Sequence, residues 1–136
     1  ESESRGLGDV YKRQVHLSGL KNHNLNEIAE YILSLGSDSL IIKQGEDGAT
    51  FFDGNSSFSI NAYPVNKVMD TTGAGDTFAG GILSSKIAGK NMEESMIAGA
   101  TMASFCIENI SHEGIVKVSD SEYKLRKEWI QSSLTY

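Results

Sequence analysis

The chain contains one cysteine, one proline and fewer basic than acidic residues. Because Cys106 has no second cysteine to pair with, no internal disulfide can form, and we expect a reducing, cytoplasmic compartment. The formal net charge is −6 and no basic stretch is present, which argues against nucleic acid as a partner. No apolar run approaches the roughly 20 residues of a membrane span, so no membrane partner is expected either. At 136 residues, the chain predicts one compact domain or a piece of one.

The first 14 residues look foreign to the rest of the chain. They hold six charges that cancel, and they show neither helical nor strand periodicity. The stretch GDVYKRQ resembles a translated sequencing adapter, and no secretory signal pattern is present. We therefore expect residues 1–14 to be non-native or a disordered arm, and residues 15–136 to carry the fold.

The first half of the remaining chain predicts one helix, one strand and one hairpin. Apolar residues at helical spacing predict a helix over 24–35, with Asn24 or Asn26 as its cap. The short apolar run 39–43 predicts a buried strand. Residues 49–52 and 58–60 flank turn-forming residues and predict a β-hairpin.

Three helices are predicted in the second half. They run from Thr77 to Gly89, from Met92 to about Glu108, and from Ser119 or Asp120 onwards, where Glu122 completes a capping-box pattern. A strand that follows a helix and precedes further helices is typical of part of a layered α/β domain.

The segment with the most chemical content is 70–81, DTTGAGDTFAGG. Gly73 and Gly75 let the backbone turn tightly just before a helix and leave successive N–H groups unshielded. Those amides and the positive end of the helix form an anion site that suits a phosphoryl group. Asp76 lies in the first helical turn beside that site, where its natural task is to accept a proton from an attacking hydroxyl.

Two better-known glycine motifs are excluded by spacing. A dinucleotide fingerprint requires glycine three residues after Gly75, where Phe78 stands, and a Walker A loop requires lysine after Gly80, where another glycine stands. Spacing alone leaves open that the glycines only form a tight turn and that Asp76 only caps a helix.

The segment 70–81 resembles the C-terminal signature of the ribokinase/PfkB family of sugar and nucleoside kinases at essentially every position. Residues 40–54, LIIKQGEDGATFFDG, resemble the strand, loop and hairpin at that family's nucleotide site. Residues 97–108, IAGATMASFCIE, are similar to its adenine-side helix, so the resemblance covers about 15–129. It implies the C-terminal, ATP-binding part of a ribokinase-like three-layer α/β/α domain, with a mostly parallel central sheet flanked by helices and a β-hairpin.

The resemblance also implies roles for individual residues. The anion hole corresponds to the amides of Gly73, Ala74, Gly75 and Asp76, and Asp76 corresponds to the catalytic base. ATP contacts correspond to Lys43, Gly45, Gly48, Gly99 and Met102. Asp70 and Thr72 match positions that hold a monovalent cation, commonly K⁺, in cation-activated relatives. Lys43 could equally be a solvated lysine, Gly99 a helix-packing glycine and Met102 a core residue.

The implied activity is phosphoryl transfer from Mg²⁺-ATP to an alcohol group of a sugar or nucleoside. Two family parts have no match: a Gly-Gly motif of the substrate pocket, and an Asn-x-x-Glu motif expected where residues 11–14 stand. We therefore expect a truncated kinase that is inactive alone. The alternative is a non-catalytic nucleotide-binding or oligomerising fragment or relative. The identity of the substrate, K⁺ dependence and a homodimer of the full-length protein are left open.

Three further kinds of residue have ordinary structural interpretations. The spacing of His16, His23 and His112 does not predict a metal site. Cys106 is predicted to be a small buried residue of its helix, because no basic side chain neighbours it in sequence. Trp129 is predicted to anchor the last helix.

Overall fold

The computed structural model describes residues 8–10, 24–66, 68, 71, 73–108 and 118–136. These residues fall into two units. The first unit contains the residues up to Ser59 together with Thr135 and Tyr136, and the second contains Ile60–Leu134. In the described residues, no helix has both the length and the apolar character needed to cross a membrane.

A four-stranded sheet organises the first unit. Its strands are adjacent in chain order: β1 (Gly8–Val10), β2 (Leu40–Lys43), β3 (Ala49–Phe52) and β4 (Ser57–Ile60). β1 runs parallel to β2, with Gly8 opposite Leu40, whereas β2 and β3 are antiparallel, with Leu40 opposite Phe52. The predicted strand and hairpin are therefore confirmed to within one residue at their ends.

β1 lies inside the segment that the sequence pattern leaves without a strand. In the structure, Gly8–Val10 nevertheless form a short strand that pairs with β2. Strand pairing uses backbone N–H and C=O groups that every non-proline residue carries, so a three-residue edge strand need not show a side-chain pattern. The non-native origin of residues 1–14 stays a prediction.

Helix α1 (Leu25–Ser34) packs on the sheet as its apolar spacing predicts. Asn24 is the cap: its side chain accepts from the Glu27 amide at 2.9 Å, and Glu27 accepts in return from the Asn24 amide at 3.3 Å. This reciprocal pair satisfies two N–H groups that the first turn leaves without an acceptor. The buried face of α1 joins strand residues in one core cluster: Ile28, Ala29, Leu40, Ile42 and Phe52.

The hairpin turn between β3 and β4 is fixed by Asp53. One carboxylate oxygen of Asp53 accepts from the amides of Asn55 at 3.0 Å and Ser56 at 2.8 Å. Gly54 has a φ of 88°, which a residue with a β carbon rarely adopts. The two amide hydrogen bonds favour the charged carboxylate and lower the pKa of Asp53 below its usual value.

Among its described residues, the second unit contains three helices: α2 (Ala74–Ile87), α3 (Met92–Glu108) and α4 (Asp120–Ser132). α2 begins three residues before the predicted Thr77, whereas the bounds of α3 agree with the prediction. Asn91 caps α3, since its side chain accepts from the Glu94 amide at 2.8 Å. Ser119 caps α4 by accepting from the Glu122 amide at 3.2 Å, so the predicted Ser119 cap is confirmed.

α3 and α4 are joined by a buried arginine. The guanidinium of Arg126 donates to Glu108 at 2.6 Å, to Glu122 at 3.0 Å and to the Ser104 hydroxyl at 3.1 Å. Its carbon lies 4.0 Å from the centre of the Phe105 ring, within the range of a cation–π contact. Because acceptors surround the buried charge, Arg126 can be 6% exposed without an unpaired charge.

Trp129 is less of an anchor than predicted. Its side chain is 37% exposed and meets the Tyr63 ring edge-on at 5.5 Å between centres. The fully buried apolar residue of α4 is Ile130, at 0% exposure. The anchoring of α4 therefore comes from Ile130 and Arg126, with Trp129 at the margin.

Candidate active site

The centre of the candidate site is the turn at which α2 begins. Gly73 occupies the cap position with a φ of 82° and a ψ of −4°, in the left-handed region. The chain then enters the helix directly, and the Thr77 amide donates to the Gly73 carbonyl at 2.9 Å as the first helical hydrogen bond. A side chain at position 73 would strain this backbone, so the turn requires glycine there.

The amides of this turn have the arrangement that an anion site needs. Ala74, Gly75 and Asp76 are the first three residues of α2, and N–H groups of a first turn have no acceptor within the helix. The Ala74 amide donates to the Thr71 carbonyl at 3.2 Å, which closes the turn itself. The amides of Gly75 and Asp76 belong to the positive end of the helix dipole, where a bound anion is favoured.

Asp76 is the exposed third residue of α2. It does not cap the helix, because Gly73 holds the cap position. The interpretation of Asp76 as a mere helix cap is thereby removed, although a carboxylate in the first turn still interacts favourably with the helix dipole. The Asp76 carboxylate is therefore accessible from solvent.

Gly99 on α3 lies directly against α2. A β carbon built at Gly99 would lie 2.5 Å from the Phe78 carbonyl oxygen and 3.2 Å from Cγ1 of Ile82. A β carbon built at Gly81 would lie 2.6 Å from the Gly99 Cα atom. The two glycines therefore allow α2 and α3 to approach closely, which favours the helix-packing interpretation of Gly99. Met102, three residues further along α3, is half-buried.

The loop between β2 and β3 carries the other candidate nucleotide residues. Lys43 is the last residue of β2 and is half-buried. Gly45–Asp47 form a 3₁₀ turn, and the Gln44 amide donates to the Gly48 carbonyl at 2.8 Å. Gly45 has a φ of 62° and Gly48 a φ of 99°, so both positions favour glycine.

The predicted residues thus fall into two groups. Gly73, Ala74, Gly75, Asp76, Gly99 and Met102 lie on α2 and α3 in the second unit, whereas Lys43, Gly45 and Gly48 lie in the first. Asp70 and Thr72 are outside the described residues, so the cation site stays a prediction. In the part of the chain that is described, no three His, Cys, Asp or Glu side chains cluster as metal ligands would.

The structure also contains polar contacts that sequence patterns did not reveal. Thr50 and Ser59 join their hydroxyls across β3 and β4, and Thr50 also reaches the side chain of Gln44. The Arg126 network was missed too, although the spacing of Glu122 and Arg126 at i and i+4 is a recognised signal for an ion pair on a helix. Cys106 is fully buried, as predicted.

Comparison with known proteins identifies similar sequences. Residues 15–114 match the family described as pfkB family carbohydrate kinase. An uncharacterised sugar kinase of Archaeoglobus fulgidus is 31% identical over 85% of this chain and 50% of its own length. A nucleoside kinase of Methanocaldococcus jannaschii is 32% identical over 67% of this chain and 28% of its own length. The chain therefore spans half or less of the length of these relatives.

A solved structure has the same fold. Arabidopsis thaliana ribokinase, in complex with ribose and ATP, matches 84% of this chain and 38% of its own with a TM-score of 0.71 at 24% identity. The likeness confirms the predicted fold class, part of a ribokinase-like α/β domain.

Proposed function

The chain belongs to the pfkB family of carbohydrate kinases, and on that premise we propose that it supplies the ATP side of a phosphotransferase acting on an alcohol group of a sugar or nucleoside. The observation that carries this proposal is the left-handed Gly73 at the start of α2, which puts Ala74, Gly75 and the exposed Asp76 together in the first turn. Relatives named as sugar and nucleoside kinases support the choice of acceptor.

In the proposed reaction, Asp76 accepts the proton of the substrate hydroxyl while the hydroxyl oxygen attacks the γ-phosphorus of ATP. The new oxygen–phosphorus bond forms while the bond to the β-phosphate oxygen breaks, and ADP leaves with that electron pair. Amides of Gly73, Gly75 and Asp76 stabilise the charge on the transferred phosphoryl oxygens, whereas the Ala74 amide, implied as a fourth donor by the resemblance, donates to the Thr71 carbonyl. Phosphoryl transfer depends mainly on such positioning and charge stabilisation, which fixed backbone donors provide without reorganisation.

Nucleotide contacts are assigned to the β2–β3 loop and to α3. Lys43, Gly45 and Gly48 are proposed to approach the ATP, with Met102 bordering the adenine. Gly99 is proposed to act indirectly, since its buried position against Phe78 supports the helix that carries Asp76.

Metal ions enter this proposal only through general chemistry. Mg²⁺ commonly retains waters and binds through one or two carboxylates together with substrate phosphates. Mg²⁺ is proposed to be held largely by the ATP phosphates. When bound, Mg²⁺ neutralises phosphate charge. Asp70 and Thr72 remain the proposed ligands of K⁺.

The decisive test is Asp76→Asn in the full-length protein, with phosphorylation of a panel of sugars and nucleosides as the assay. Loss of the base should lower kcat by about two to four orders of magnitude, while ATP still binds. Asp120→Asn is the matched control, because Asp120 is also an exposed aspartate in the first turn of a helix. Turnover of Asp76→Asn within a few-fold of the unaltered protein would refute the assignment.

A second candidate is ATP binding without phosphoryl transfer by this 136-residue chain. It is favoured by the chain's match to only 28% and 50% of the two curated relatives. It predicts that ATP binds to the chain while no sugar or nucleoside is phosphorylated. Calorimetric titration with ATP and a coupled ADP-release assay on the same preparation separate the two candidates.

A further inference from the structure

A directed chain of side-chain hydrogen bonds lies behind the candidate nucleotide loop. The Thr50 hydroxyl is 3.1 Å from Oε1 of Gln44 and 2.8 Å from the Ser59 hydroxyl. Oε1 can only accept, so the single Thr50 hydrogen goes to Gln44. Ser59 must then donate to Thr50, and the chain runs from Ser59 through Thr50 to Gln44. Thr50 itself is 6% exposed, and both hydrogen bonds are partly buried.

Gln44 connects the hydrogen-bond chain to the loop 44–48. Its amide donates to the Gly48 carbonyl at 2.8 Å, and its own carbonyl accepts from the Asp47 amide at 3.1 Å. The backbone of Gln44 therefore closes the loop 44–48, while its side chain is held by Thr50. A displacement of the Gln44 side chain away from Thr50 would break this hydrogen bond.

Ser59, the other end of the hydrogen-bond chain, is also fixed in position. Ser59 exchanges two backbone hydrogen bonds with Thr135, at 2.8 Å and 2.9 Å. Ser59 is therefore fixed by β4 on one side and by the end of the chain on the other. A fixed donor at Ser59 gives Thr50, and through it Gln44, one preferred orientation.

We propose that the hydrogen-bond chain Ser59–Thr50–Gln44 positions the loop 44–48 for nucleotide contact. Thr50 and Gln44 are then positioning residues, and Gly45 and Gly48 carry the contact. The nucleotide part of this inference rests on the proposed function, whereas the control of loop conformation does not.

The physical reason lies in the two glycines of the loop. Gly45 and Gly48 both adopt positive φ, and glycine has many other backbone conformations available to it. A loop that samples other conformations binds its ligand with an affinity reduced by the fraction of time spent in the competent one. A buried side-chain hydrogen bond shifts such an equilibrium by about two- to tenfold.

The test removes the Thr50 hydroxyl with little change of shape. Thr50→Val deletes both hydrogen bonds, and Thr50→Ser keeps the hydroxyl. Thr101→Val is the matched control. Thr101 is also buried, and its hydroxyl donates to the backbone carbonyl of Ile97 on α3 at 2.7 Å. Amide hydrogen exchange over 44–49 and the Kd for ATP are measured on the complete 136-residue chain.

We expect Thr50→Val to speed exchange at amides 44–49 and to weaken ATP binding, each by about two- to tenfold. Thr50→Ser should restore both values, and Thr101→Val should leave amide exchange over 44–49 unchanged. Unchanged exchange over 44–49 in a folded Thr50→Val protein would overturn the inference.

Faster exchange with an unchanged ATP affinity would overturn its nucleotide part alone. Absence of ATP binding by the unaltered chain would instead count against the proposed function. In that case, exchange would still decide whether the hydrogen-bond chain controls the loop. If Thr50→Val fails to fold, Ser59→Ala removes only the outer donor, and it should raise exchange over 44–49 by a smaller factor.

Discussion

Gly80 and Gly81 are neighbours in α2, yet a methyl group added to one should have the opposite effect from a methyl group added to the other. A β carbon at Gly80 meets no heavy atom within 4 Å. At Gly81 it would lie 2.6 Å from the Cα atom of Gly99 and 3.1 Å from its nitrogen. Both obstructing atoms are backbone, so the clash cannot be relieved by rotating a side chain.

The size of the effect follows from two terms. Replacing glycine by alanine inside a helix stabilises it by about 0.5–1 kcal/mol, and this term applies to both positions. Gly80→Ala should therefore raise the free energy of unfolding by about that amount. Gly81→Ala gains the same term but forces α2 and α3 apart, which costs about 1–3 kcal/mol or more. Because the helix term cancels between the two variants, their difference measures the clash alone.

Urea unfolding followed by circular dichroism measures this difference directly. We expect Gly81→Ala to be less stable than Gly80→Ala by about 1–3 kcal/mol, with similar dependence on urea concentration. Gly99→Ala, whose β carbon would lie 2.5 Å from the Phe78 carbonyl oxygen, should behave like Gly81→Ala. Equal stability of Gly80→Ala and Gly81→Ala would refute the close approach of the two helices.

Two further predictions concern the charged groups. Glu108→Gln should lower the free energy of unfolding by about 1–3 kcal/mol, because buried Arg126 loses one of its two charged partners and keeps only Glu122. The control Glu128→Gln, at an exposed position of α4, should change the free energy of unfolding little. Equal urea midpoints for the two variants would contradict this prediction. The folded-state pKa of Asp53 is lowered, so its carboxylate stabilises the fold above the unfolded pKa of about 3.9, and this stability is lost as the pH falls through the folded pKa. The difference in melting temperature between Asp53→Asn and the unaltered chain should therefore shrink below about pH 4. A difference that stays constant with pH would contradict the role of Asp53 in the turn.

The helices with clear apolar spacing could be predicted from the sequence, but the start of α2 could not. The pattern indicates Thr77 as the start, because glycine has low helix propensity and residues 74–76 add no apolar stripe. The left-handed backbone at Gly73 starts the helix three residues earlier. This shift makes Asp76 the third residue of the helix, within the first turn where the glycine motif had already placed it.

Contacts between distant residues were beyond the sequence patterns. Thr50 and Ser59 meet only because the hairpin places them together. Arg126 bonds to Ser104 and Glu108, which are 22 and 18 residues away, only because α4 packs on α3. Local spacing can indicate a turn or a cap, whereas these partners are chosen by strand pairing and helix packing.

The two backbone hydrogen bonds between Ser59 and Thr135 also bear on self-association. β4 is the last strand of the sheet, and an exposed edge strand offers free N–H and C=O groups to a strand of another molecule. At Ser59, Thr135 already takes both of these groups. The final residues of the chain thus cover the edge of the sheet at Ser59. They limit strand addition there although β4 contains no charged side chain and no proline.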